Sequence, residues 1–190
     1  CNTATAAAIA SLRKEFPIKF IGMEPAVKPA AMTTKTGTVG VLATAGTLKA
    51  DKYLNTREKW AEGVKIAEHV GQGFVELVER GETSGPVAEE IVTASLKPLL
   101  DEGADRIVLG CTHYPFLSDA IDSITDGKIR LYEPGMAVAR HLQNRLSDID
   151  ALTTKKTSAE EIFFVSDLND ERQKIAQALM PGITQFRALP

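Results

Sequence analysis

Apolar residues along the chain fall into short unbroken runs, and between the runs they recur at helical spacing. Residues 18–23 (IKFIGM), 38–44 (TVGVLAT), 64–70 (VKIAEHV), 106–110 (RIVLG), 129–132 (IRLY), 162–165 (IFFV) and 184–188 (TQFRA) are short apolar or β-branched runs and read as strands. Helices are predicted from Asn2 or Thr3 to Phe16, stopped by Pro17, and from Ala45-Gly46-Thr47 through Arg57. A short one is expected over 74–80, and a longer one follows Ser84-Gly85-Pro86. In the longer one, Val87, Ile91, Leu96, Leu99 and Leu100 keep one face apolar, Pro98 predicts a kink, and Gly103 ends it. Further helices are predicted from Phe116, after Glu133-Pro134-Gly135, and over 169–179. Residues 24–35, with Pro25 and Pro29, read as a loop crossing between domains, and 147–160 as a polar linker.

Alternating strands and helices predict an α/β protein with parallel sheets covered on both faces. In such sheets the chemistry gathers in the loops at the carboxyl ends of the strands. That rule selects Cys1 to Thr5, Glu24, Thr44 to Thr47, Cys111 to His113 and Glu133 to Gly135.

Composition narrows the class. The chain has 190 residues, enough for one large or two small domains, with 44% hydrophobic and 25% charged residues, the balance of an ordinary globular protein. Its formal charge of −3 (22 Lys and Arg against 25 Asp and Glu) is no mark of a nucleic-acid or membrane-surface binder. No apolar run approaches the roughly 18 residues of a membrane span, and a cytoplasmic setting is expected. The two cysteines make no disulfide framework, so reduced thiols are expected.

Both cysteines are on the strand-end shortlist. A thiol that precedes small hydroxyl residues at a helix start lies in the positive field of that helix, which favours the thiolate, and the turn's N–H groups suit a carboxylate. Two such turns facing each other across a cleft would suit inversion of a carbon centre, with a base on one face and an acid on the other, and no cofactor or metal is needed. Other readings stay open at each residue. Cys111 could be a small core residue, Glu79 a solvated helix residue, and Thr44 and Thr47 turn and cap residues. The Cys-x-His spacing has no second ligand pair to make a zinc site. His69 and His141 lie on no special turn.

Cys1-Asn2-Thr3-Ala4 and Gly110-Cys111-Thr112-His113-Tyr114-Pro115 resemble the two cysteine motifs of glutamate racemases, in the aspartate/glutamate racemase superfamily. Residues 40–53 resemble that family's threonine-bearing loop, 74–82 its acidic segment, and 132–140 its return into the first domain. The resemblance implies cofactor-independent interconversion of L- and D-glutamate, supplying D-glutamate for peptidoglycan. It implies Cys1 as the acid/base for the D enantiomer and Cys111 for the L, with His113 assisting Cys111 and Glu79 as an auxiliary acid. Asn2, Thr3, Thr44, Thr47, Thr112 and His113 would hold the substrate. It further implies two pseudo-symmetric α/β domains, 1–30 with 134–190 and 31–133, with the site in the cleft between them, and a homodimer. The family's opening Asp-Ser-Gly strand and its Pro-Tyr-Gly segment have no counterpart, so an N-terminally truncated member with an incomplete first domain is expected. Paired-cysteine chemistry also fits an aspartate racemase or a hydantoin or maleate isomerase relative. An inactive relative that binds an acidic ligand or only dimerises is the reading from outside that class.

Overall fold

Thr38–Ala43 (β1) is buried at all six positions, as a run with no polar interruption requires when both faces of its sheet are covered. A computed structural model of the chain describes every residue except 61, 156, 158 and 190. In it, β1 lies inside a four-stranded parallel sheet. Lys65–Val70 (β2) pairs with one side of β1, Arg106–Leu109 (β3) with the other, and Arg130–Tyr132 (β4) continues beyond β3. The order β2-β1-β3-β4 means that the chain leaves β1 in one direction and returns past it to form β3. The topological switch point therefore falls between β1 and β3, where sheets of this kind bind their ligands.

Side-chain alternation sorts the core onto the two faces. Leu42, Ile107 and Leu109 point to the face packed by Phe74, Leu77, Val92, Leu96, Leu99, Leu117 and Ile121. Val39, Val41, Ala43 and Val108 point to the other, against Val27, Ala30 and Tyr53. The first face is covered by helices Phe74–Glu79 and Pro86–Asp101 and by Ser118–Ile124, the last preceded by a 3₁₀ turn, Tyr114–Leu117. The second is covered by Val27–Ala31 and Asp51–Trp60. With Asn2–Glu15, Ala45–Leu48, Gly135–Ser147 and Asp170–Leu179, the helices are numbered α1 to α9 in chain order. A second sheet pairs Phe163–Val165 (β5) in parallel with Phe186–Ala188 (β6).

Four expectations are corrected. Residues 18–23 form no strand; the segment runs beside α1, with Phe20 O accepting from Arg13 Nη2 at 3.0 Å and Met23 N–H donating to Thr5 Oγ1 at 3.3 Å. A strand needs a partner along its edge, and among the described residues none lies beside it. The crossing loop contains α2, because Pro29 falls in its first turn, where a missing N–H costs nothing. The helix predicted through Arg57 is two helices, α3 and α4, broken at 49–50. The helix predicted from Phe116 starts as the 3₁₀ turn at Tyr114. α6 does continue across Pro98 to Asp101. Within the expected linker over 147–160, residues 156 and 158 lie outside those described.

Candidate active site

The carboxyl ends of β1 and β3 approach each other closely at the switch point. Gly110 N–H donates to Leu42 O at 2.7 Å, and a Cβ on Gly110 would stand 2.7 Å from Ala43 Cβ and 3.1 Å from Leu42 O. Only glycine fits there. The next residue, Cys111, is buried, and its Sγ lies 3.9 Å from His113 Nδ1. His113 Nε2 is 2.6 Å from Glu79 Oε1. A carboxylate can only accept, so Nε2 carries the hydrogen, and in the neutral ring Nδ1 is left as the acceptor facing the thiol.

Glu79 reaches this place from the last turn of α5, and the packing that brings it there is specific. The Tyr114 ring meets Phe74 edge-on, with centroids 4.9 Å apart, and its hydroxyl donates to Gly71 O at 3.2 Å. Burial pushes the Tyr114 phenol well above its ordinary range, which keeps it a donor. A Cβ on Gly71 would come within 2.7 Å of the Tyr114 ring, so the turn before α5 and the turn after Cys111 are fitted to each other. Sequence reasoning missed this contact. Tyr114 is in the motif, but its partner lies 43 positions earlier and carries no side chain to mark it.

Cys1 occupies the cap position of α1, its Sγ accepting from Ala4 N–H at 3.5 Å. Asn2 is buried, and its Nδ2 donates to Gly110 O at 2.7 Å. Thr3 reaches the other strand end. Its hydroxyl lies 3.1 Å from that of Thr44 and 2.9 Å from that of Thr47, which are 3.0 Å from each other. Thr44 also caps α3 by accepting from Thr47 N–H at 3.3 Å.

The expected site residues thus gather as two linked groups: Cys1, Asn2 and Thr3 with Thr44 and Thr47, and Cys111 with His113 and Glu79. Thr112 is exposed beside Cys111. Two shortlisted segments serve elsewhere. Glu24 pairs with Lys52 at 3.0 Å and accepts from Thr56, while Glu133 accepts from Gly135 N–H at the start of α8. His69 lies in β2 and His141 on α8. His113 and Glu79 also border a groove of about 380 Å³ lined by Phe116, Ile175, Ala176 and Leu179. Among the described residues no group of three or more His, Cys, Asp or Glu is placed to hold a metal ion.

Residues 1–142 match the Asp/Glu/hydantoin racemase family, and the chain belongs to that family. A glutamate racemase of Methylococcus capsulatus is 42% identical over 190 residues, which are all of this chain and 70% of the relative. Among solved structures, the Escherichia coli glutamate racemase in complex with L-glutamate and the activator UDP-MurNAc-ala superposes with a TM-score of 0.82 at 30% identity, covering 100% of this chain and 71% of that one. The Francisella tularensis glutamate racemase in complex with D-glutamate superposes with a TM-score of 0.81 at 25% identity, with the same coverage.

Proposed function

We propose that this protein interconverts L- and D-glutamate without a cofactor, with Cys1 and Cys111 as the two acid/base groups. The observation that supports this most is the direct joining of two cysteine-bearing helix-start turns through Asn2 and Gly110. Inversion at Cα requires one group to remove the hydrogen from one face and a second to deliver a proton to the other. With Cys1 as thiolate and Cys111 as thiol the site receives the D enantiomer, and with the protonation reversed it receives the L. His113 Nδ1 accepts the Cys111 proton and returns it, while Glu79 holds the imidazole in the tautomer that makes this possible. Cys1 Sγ instead accepts from Ala4 N–H. The positive field at the start of α1 would favour its thiolate.

The substrate carboxylates and ammonium would be held by Asn2, Thr3, Thr44, Thr47, Thr112 and His113, in a cleft between an α/β domain of residues 1–30 and 134–190 and a second of 31–133. Relatives of this fold crystallised with L-glutamate and with D-glutamate favour glutamate over aspartate. A cytoplasmic homodimer supplying D-glutamate for peptidoglycan completes the reading.

The test is solvent deuterium incorporation at Cα of L-glutamate, D-glutamate and L-aspartate. Exchange with inversion is expected for both glutamates and far less with aspartate. Aspartate exchanging faster would move the protein to its aspartate-specific relatives, and exchange of none of the three would overturn the racemase reading.

A further inference from the structure

The amide of Asn2 sits where the two cysteine turns meet, and its bonding is unusual for a residue expected to hold a ligand. Asn2 is 5% exposed. Its Nδ2 donates to Gly110 O at 2.7 Å across 108 positions of sequence, and its Oδ1 is buried with no hydrogen-bond partner among the described residues. Turning the amide over would not help, because it would set Oδ1 against the Gly110 carbonyl, acceptor facing acceptor. An orphaned buried acceptor is unfavourable, and a serine or alanine here would remove it. What asparagine alone supplies at this reach is the donor to Gly110.

We infer that Asn2 is a positioning residue whose side-chain amide fixes the separation and facing of the two thiols; this rests on the two-thiol reading above. The bond joins the residue after Cys1 to the residue before Cys111, so each thiol is one peptide unit from the tether. Neither end can drift. Gly110 is held by its own N–H to Leu42 O and wedged against Ala43. Asn2 is the first residue of a helix of 14 residues, which moves as a unit. The Thr3 contacts to Thr44 and Thr47 anchor the same turn to the end of β1, not to the end of β3 that carries Cys111. Among the side-chain hydrogen bonds of the described residues, that of the Asn2 amide is the one that joins this turn to the strand end carrying the second thiol. Acid and base must stand at fixed distances on opposite faces of one carbon, and a misplacement of about 1 Å can cost on the order of 100-fold in rate.

The test compares wild type with Asn2→Asp, which keeps the shape and places an acceptor against the Gly110 carbonyl, and with Asn2→Ser, which removes both the reach and the orphaned atom. Steady-state kinetics with L- and D-glutamate and crystal structures of all three proteins are the readouts. Positioning predicts that kcat falls about 100-fold in addition to any rise in KM from a lost substrate contact, and that the Cys1 Sγ to Cys111 Sγ separation changes by more than about 0.5 Å. A raised KM with kcat unchanged would leave Asn2 as a ligand contact alone and overturn the inference, as would an Sγ–Sγ separation held in both variants. The structural readout does not depend on turnover. A shifted separation in a protein whose wild type shows no Cα exchange would remove the racemase reading and leave the tether standing.

Discussion

Cys111 has beside it a histidine held by a carboxylate, while Cys1 Sγ accepts from the first turn of α1, yet in the proposed mechanism each direction of inversion needs both thiols. Cys111→Ala should therefore lower racemisation by about 10²- to 10⁴-fold or more from either enantiomer. Following optical rotation from pure L- and pure D-glutamate checks this, and near-normal rates would sink the two-thiol mechanism. Far from the site, Asp105 offers a prediction about stability. Burial alone would raise its carboxyl, but the Thr34 hydroxyl at 2.5 Å, Lys35 N–H at 2.7 Å and the Arg106 guanidinium at 3.1 Å outweigh burial and hold it below the ordinary carboxylate range. A carboxyl lowered in the folded state contributes stability that is present above its unfolded value of about 3.9 and is lost as pH falls through the folded value. Thermal unfolding from pH 7 to pH 2.5 should show that loss. Asp105→Asn should flatten it and cost about 1–3 kcal/mol at pH 7.

Among the elements, β1 and β3 were readable because a strand buried on both faces needs an unbroken apolar run, and such a run has few other uses; β2, an edge strand exposed at Lys65 and Glu68, carries that signal only in part. The segment 18–23 has the same composition and forms no strand, since pairing belongs to the neighbour as much as to the segment. α2 was hidden by Pro29, whose effect depends on its position within the first turn. The Thr44 and Thr47 turn was visible, but its closure by Thr3 depends on a contact spanning more than forty residues, which local patterning does not carry. Burial is equally uneven. From Gly135 onward Ile183 is the one buried residue among those described, and neither α8 nor α9 buries a side chain. A two-stranded sheet with so little cover is marginal by itself. Amide exchange in β5, β6, α8 and α9 should be at least about 100-fold faster than in β1 and β3, a gap of ~3 kcal/mol in opening free energy. Uniform protection across the chain would contradict this.

For the molecule as a whole, the strand order decides where function can sit. Because β1 and β3 are neighbours, residues 44 and 111 share one end of the sheet, and α1 brings the first residues of the chain to that same place. The sequence motifs named candidate residues; the order of the strands, which no motif records, determines that they meet. Gly110 is the point where this arrangement is tightest. Gly110→Ala would force β1 and β3 apart at their ends, with an expected loss of about 1–3 kcal/mol in chemical denaturation and a disproportionate fall in Cα exchange. An alanine variant as stable and as active as wild type would show that the close approach is dispensable. The three threonine hydroxyls beside it have a different kind of consequence. In a closed ring each oxygen both gives and receives, so its hydrogens can circulate in either of two senses, and neither sense leaves a hydrogen free to point outward. If these hydroxyls hold a substrate carboxylate, as proposed, the anion must break the circulation and draw hydrogens to one side, so recognition begins with the loss of that degeneracy.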